Sequence, residues 1–325
     1  MQILPVFNIN TVKSFEELVL KVFNYQAVNN KVYADFLKFL HVNPKSITCL
    51  KQIPFLPIQF FKTHEILSSK EKIQQTFLSS GTTGIQQSKH YVTDLNIYQK
   101  SFTNGFQHFY GDIKNYTILA LLPSYLEREG SSLIYMVNDF IKKSESKESG
   151  FYLHNLEELS QKLIDLEKQN KKVLLMGVSY ALLDLIELTQ FHLKNTIIME
   201  TGGMKGQRKE MIKEELHQKL CEGFGVAKIH SEYGMTELLS QAYSHGNGIF
   251  KTPPWMKILI RDTEDALTLL PQNRAGGINV IDLANINSCS FIATQDLGKV
   301  YANGTFEILG RFDNSDIRGC NLMVV

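Results

Sequence analysis

Charge of one sign, cysteine and long apolar runs are all scarce in this sequence, and each scarcity closes off a class of function. Lysine and arginine number 34 against 33 aspartates and glutamates, a formal net charge of +1. Such a balance creates no field to gather nucleic acid or anionic lipid, so neither is expected as a partner. No apolar stretch approaches the ~18 residues of a membrane span. The first residues, Met-Gln-Ile-Leu-Pro, lack the basic and apolar regions of a secretion signal. Cys49, Cys221, Cys289 and Cys320 are far apart, with no C-x-x-C pair. That spacing argues against a structural zinc and for a reducing, cytoplasmic setting. The first three of these cysteines read as small core residues. What remains is an ordinary globular composition, 43% hydrophobic and 21% charged over 325 residues, long enough for a large core.

Apolar positions at three-to-four spacing, such as Leu18, Val22 and Phe23, then Val32, Phe36, Phe39 and Leu40, predict helices before Leu50. Pro54 and Pro57 end that pattern and impose an extended segment. Beyond them, short β-like runs alternate with helical ones. Strands are predicted at 116–122, 173–176, 196–200 and 227–230, and helices at 131–142, 181–188 and 208–224. This alternation implies an α/β fold with a mainly parallel sheet flanked by helices, and ligands outside the C-terminal ends of its strands. After Gly246, Pro253-Pro254, Gly276-Gly277 and Asn303-Gly304 punctuate short runs at 278–283 and 305–309, which predicts a small antiparallel β region. The chain is thus expected to form one domain in three parts: helical (1–75), α/β (76–250) and β-rich (251–325).

The densest chemistry lies at 77–84, where Phe-Leu leads into Ser79-Ser80-Gly81-Thr82-Thr83-Gly84. Glycines let backbone approach a bulky anion, and hydroxyls and N–H groups aim many donors at one spot. No Gly-Lys-Ser/Thr follows, so this is not a Walker loop; a plain polar turn is the competing reading. Three more segments fall where the pattern puts strand ends. One is Glu200-Thr201-Gly202-Gly203-Met204-Lys205-Gly206, whose paired glycines let a flat ring lie on the backbone. Another, Glu232-Tyr233-Gly234-Met235-Thr236-Glu237, offers an aromatic plate, a hydroxyl and a carboxylate. The last is Thr294-Gln295-Asp296-Leu297-Gly298, followed by Gly310-Arg311-Phe312-Asp313. Gly177-Val178-Ser179-Tyr180-Ala181 has the place of a hydrolase nucleophile elbow but lacks its second glycine. His230 reads either as a site wall or as a packed histidine, and Trp255 as packing.

These segments resemble the motifs of the adenylate-forming (acyl-activating) enzymes. Residues 79–84 match their phosphate loop, 233–237 their Y-G-x-T-E, Asp296 the aspartate of their D-L-G, and 310–313 their G-R-x-D hinge. Within that superfamily the chain is similar to the acyl-protein synthetases of the LuxE type. I-P-F-L-P-I-Q-F-F-K-T-H (53–64), P-S-Y-L-E-R (123–128), E-T-G-G-M-K-G (200–206) and H-S-E-Y-G-M-T-E-L (230–238) carry that likeness.

The resemblance implies activation of a carboxylic acid, a fatty acid in the LuxE case, with ATP and Mg²⁺. Ser79, Ser80, Thr82 and Thr83, with Gly81 and Gly84, would hold the β- and γ-phosphates. Thr236 would touch the α-phosphate or the acid, and Glu237 would ligate Mg²⁺. Tyr233 and Gly234, with Gly202 and Gly203, would frame the adenine, while Asp296 and Arg311 would engage the ribose. Lys205 or Lys89 would bring positive charge to the α-phosphate. Cys320 would accept the acyl group as a thioester, its thiolate favoured by Arg318 or Arg311, and pass it to an acyl reductase or acyl carrier. The chain stops shortly after the hinge, so the mobile C-terminal domain of most adenylate-forming enzymes is expected to be absent. The Gly177–Ala181 turn would then line the acyl pocket. A carboxylate–CoA ligase and a non-catalytic adenylate-binding subunit are the alternatives.

Overall fold

The computed structural model describes residues 5–80, 86–123, 129–202, 208 and 211–312. Two helices come first, α1 (Val12–Asn29) and α2 (Lys31–Phe39). A reciprocal cap starts α1: the Ser14 N–H donates to the Thr11 hydroxyl at 3.1 Å, and the Thr11 N–H donates to the Ser14 hydroxyl at 3.1 Å. Phe15, Leu18, Val19, Val22 and Phe23 form its buried stripe.

Next come β1 (Leu56–Pro57), α3 (Phe60–Thr63), β2 (Gln75–Leu78), β3 (Lys89–Val92), α4 (Leu95–Tyr110), β4 (Thr117–Leu121), α5 (Ser132–Lys143), β5 (Gly150–Tyr152) and α6 (Leu156–Lys168). They are followed by β6 (Val173–Val178), α7 (Ser179–Leu188), β7 (Thr196–Thr201), α8 (Lys213–Phe224), β8 (His230–Tyr233), β9 (Ala242–Ser244) and β10 (Ile249–Lys251). The last strands are β11 (Met256–Arg261), β12 (Ala275–Asp282), β13 (Phe291–Val300) and β14 (Phe306–Arg311).

The parallel and antiparallel parts form one sheet, not two regions. Twelve strands join in the order β11-β12-β13-β14-β10-β9-β8-β7-β6-β4-β5, with β1 paired to β13. Strands β4 to β8 pair in parallel, and polarity reverses between β8 and β9. Strands β4 and β6 are buried at every position, as continuous apolar runs covered on both faces should be. Separate from this sheet, β2 and β3 form a two-stranded antiparallel ribbon, Leu78 opposite Lys89.

Several boundaries differ from expectation. Helix α8 begins at Lys213, not 208, because the Arg208 guanidinium reaches back to Asp184 and Glu187 of α7. Strand β8 lies at His230–Tyr233, not 227–230, since its ladder with β7 begins only at Met199 opposite His230. Asp296 sits inside β13, not in a loop after a strand. Gly276 and Gly277 lie within β12. A Cβ on Gly277 would come within 2.6 Å of the Arg261 guanidinium carbon, so the glycine makes room for that side chain. Cys49 is exposed, not core, whereas Cys289 is buried with its thiol pushed up to about 12 by burial. No helix among the described residues is long and apolar enough to cross a membrane.

Gln26 fastens the N-terminal helices to the sheet. Its amide donates to the carbonyls of Asn285 and Ile286, both at 3.0 Å, and its carbonyl accepts from the Ser290 N–H at 2.9 Å. All of these groups are buried, so an alanine there would leave them unpaired. Gln26→Ala should lower unfolding free energy by about 2 kcal/mol, read as a shifted urea midpoint at unchanged slope.

Candidate functional site

The C-terminal ends of β7 and β8 open into a cleft of ≈ 980 Å³. Its wall includes Ser79 and Ser80 after β2, Gly202 after β7, Tyr233 at the end of β8, and Gly234, Thr236 and Glu237 in the following loop. Asp296 of β13 and Arg311 of β14 close the far side. The structure therefore brings together every described residue of the four segments singled out as cofactor, metal or catalytic candidates. Gly81, Thr82, Thr83, Gly84, Gly203, Lys205 and Cys320 lie outside the described residues. Lys89 is exposed on β3 and is not among the residues of the cleft wall.

Hydrogen bonds stitch the segments to one another. The Thr236 hydroxyl donates to the Leu78 carbonyl at 3.4 Å, and a ring N–H of the buried His90 donates to the Thr236 carbonyl at 2.7 Å. Burial drives the His90 pKa down to about 4, so the ring is neutral. The Asp282 carboxylate accepts from the N–H groups of Leu239 (2.8 Å) and Ser240 (2.9 Å), and Asn285 donates to the Glu237 carbonyl at 2.8 Å. These bonds hold the loop from Gly234 to Gln241 between the β2–β3 ribbon and the end of β12 with the turn that follows it. Gly202, with φ of +70°, turns the chain at the end of β7 in a conformation that suits glycine.

Besides the exposed Glu129, four carboxylates line the cleft, each kept from water differently. Asp296 accepts from the Tyr233 hydroxyl at 2.7 Å and pairs with the Arg311 guanidinium at 3.2 Å; burial still raises its pKa. Tyr233 is thus less a free plate than a support: its ring meets Phe250 and Phe306 edge-on, and its hydroxyl orients Asp296. Burial also raises Glu237, against the opposing effects of Ser88 and Arg311. Burial raises Glu232 to about 7, although the Thr201 hydroxyl donates to it at 2.6 Å. Burial alone would raise Glu200 too, but the Lys213 ammonium at 3.0 Å, with His217 and Ser231, outweighs it and holds the carboxyl at about 2.

Lys62 and Glu129 also line the cleft, as does Lys213, and sequence reading assigned none of them a role. Lys62 lies within a quoted family segment, but no local pattern links Lys213 to Glu200. Ser179 sits beneath the site, buried, with its hydroxyl 3.4 Å from both a Glu200 carboxylate oxygen and the Gly202 carbonyl. It is neither an exposed nucleophile nor part of the cleft wall. His230 is packed against Tyr110 and His245, and burial lowers its pKa to about 4.

The Glu200–Lys213 pair has a pH signature. Because the folded carboxyl titrates below its ordinary value of 4.5, its contribution to stability is complete above that pH and is lost as pH falls toward 2. Glu200→Gln should therefore be less stable than the parent protein at pH 7. The gap should narrow steadily below pH 4.5, read from urea midpoints across a pH series.

Comparison with known proteins follows the same lines. Among proteins of curated description none matches the sequence. The structure of 2-hydroxyisobutyryl-CoA ligase in complex with 2-HIB-AMP and CoA superposes with a TM-score of 0.67 at 11% identity, covering 93% of this chain and 70% of that one. ATP-bound MatB from Rhodopseudomonas palustris gives a TM-score of 0.56 at 17% identity over 75% of this chain. The match covers 49% of MatB, so the chain spans about half the length of that relative. The luciferase-like enzyme of the nonluminescent mealworm Zophobas morio gives 0.52 at 17% identity, covering 76% of this chain and 59% of that one. At such identities the likeness is one of fold, that of the large domain of adenylate-forming enzymes. The family model described as acyl-protein synthetase, LuxE, matches residues 8–325. Since that match runs through nearly the whole sequence, the chain belongs to the LuxE family of acyl-protein synthetases.

Proposed function

We propose that residues 1–325 act as one adenylate-forming domain that activates a carboxylic acid with ATP and then accepts the acyl group on Cys320. A carboxylate oxygen attacks the α-phosphorus, the bond to the bridging oxygen of the β-phosphate breaks, and pyrophosphate leaves. The Cys320 thiolate then attacks the acyl carbon, and AMP departs. The thioester passes to a partner such as an acyl reductase or an acyl carrier. The observation carrying this reading is the single cleft shared by Ser79, Thr236, Glu237, Asp296 and Arg311.

Ser79 and Ser80, and by sequence Gly81 to Gly84, are assigned to the outer phosphates, and Lys62 and Lys213 add positive charge in the same cleft. Thr236, held from both sides by Leu78 and His90, is assigned to the α-phosphate or the attacking carboxylate. Asp296 and Arg311 suit the ribose hydroxyls as acceptor and donor, and Gly202, Gly203, Tyr233 and Gly234 suit the adenine. Glu237 fits a Mg²⁺ ligand. Its carboxyl is buried and its charged form is disfavoured by that burial, a cost that a divalent cation shared with phosphate oxygens would offset. Mg²⁺ would neutralise charge on the departing pyrophosphate. Lys205 is assigned to the α-phosphate, by sequence alone.

Little covalent help is needed for the first step, so alignment and charge dominate. Glu237→Gln and Asp296→Asn should each cut ATP–pyrophosphate exchange by roughly 10²-fold or more. Cys320→Ser should leave exchange intact while abolishing the acyl-enzyme seen by intact-protein mass spectrometry. Full exchange in both acidic-site variants would overturn the reading. An overall rate unaffected by Cys320→Ser in the presence of coenzyme A would favour a CoA ligase.

A further inference from the structure

The floor of the cleft carries polar groups that phosphate, ribose and cation leave unassigned. Glu200 stands opposite Ser231 in the β7–β8 ladder, so pleating sends Glu200 and Glu232 to opposite faces of the sheet. On the α8 face Glu200 has the Lys213 ammonium. On the α4–α5 face Glu232 has the Thr201 hydroxyl, and no cation among the described residues pairs with it.

Two further groups on that side lack partners among the described residues. Tyr243 stands directly opposite Glu232 in the β8–β9 ladder, and its buried hydroxyl has no hydrogen bond. Gln241, 6% exposed, lines the cleft with its side-chain carbonyl buried and unpaired. Glu232 and Gln241 flank one point. A Cβ on Gly234 would lie 2.4 Å from Glu232 Oε1 and 3.3 Å from Gln241 Cγ. Tyr98 of α4, with Leu133 and Met136 of α5, forms the facing wall. The helix side of the pocket thus combines Leu133 and Met136 with Ser131 and Ser132, and the sheet side carries the unpaired polar oxygens. A plain alkyl chain laid across it would cover the half-buried Glu232 and leave the Gln241 and Tyr243 oxygens, already out of water, without a partner. A chain that donates a hydrogen bond there would satisfy them.

We propose that the acid taken by this cleft carries a hydrogen-bond donor, a hydroxyl or an amino group, along its chain, received by Glu232 Oε1 and Gln241 Oε1. The inference rests on the adenylation reading and narrows its substrate class from fatty acids in general to hydroxylated or amino-substituted ones.

The test is pyrophosphate exchange by the full chain. Plain straight-chain acids of increasing length are compared with the hydroxy and amino acids of the same length, the substituent moved one carbon at a time. At least one donor-bearing acid should exceed its plain counterpart in kcat/KM by about 100-fold or more, as sites with matched buried polar groups do. Hydroxy and amino arms separate the two donor sources. Glu232→Leu and Gln241→Leu should collapse that ratio while leaving KM for ATP unchanged, and Gln241→Asn should restore part of it. Plain acids turned over as well as every substituted one would overturn the proposal and leave adenylation standing. Variant effects confined to the KM for ATP would overturn it too, by assigning the acceptors to adenine. Exchange with no acid at all would sink adenylation and this inference together. The wild-type panel decides even where a variant fails to fold.

Discussion

Keeping several carboxylates out of water around one opening is the constraint that the rest of this molecule serves. A buried charge is tolerated only where something nearby repays the lost hydration. Each of the four acids meets that demand in its own way. Glu200 has a lysine, Asp296 has a phenol and a guanidinium, Glu232 has a hydroxyl, and Glu237 has a serine and a distant arginine. The result is a graded set of proton affinities within one cleft. Glu200 is ionised throughout the physiological range, whereas Glu232 is poised near neutrality.

Rigidity around the opening comes from groups that never reach it. Asp282 fixes the backbone at Leu239 and Ser240, and the Trp255 indole donates to the Ser240 hydroxyl at 3.0 Å. Arg261, buried and brought down to about 10 by that burial, donates to the Ile278 and Thr294 carbonyls at 2.7 and 2.5 Å. It thereby sets the strand that carries Asp296. Such support matters wherever a site works by the placement of charge more than by covalent chemistry.

Much of this could be read from the residues. Alternating strand and helix patterns located the parallel half of the sheet, since buried parallel strands such as V-L-L-M-G-V advertise themselves by continuous apolarity. The hydroxyl-rich and acidic segments were legible because glycine and short polar side chains mark local backbone chemistry. What escaped depends on distance in space. Lys213 meets Glu200 only once α8 has folded back, and Gln241 is conspicuous only because no partner among the described residues reaches its carbonyl. Strand β8 was misplaced because its end is polar, as a strand emptying into a cleft must be. Gly276 and Gly277 read as punctuation although they clear space for Arg261, a role no local pattern announces.

The register of β8 against β7 has a consequence for tolerance of insertions. Glu232 faces α4 only because of its odd-or-even position counted from the ladder partner Met199–His230. Insert or delete one residue ahead of it without a compensating bulge, and Ser231 or Tyr233 would take its side of the sheet. A substitution at 232 changes one side chain, whereas a single insertion or deletion before it turns the whole strand end over.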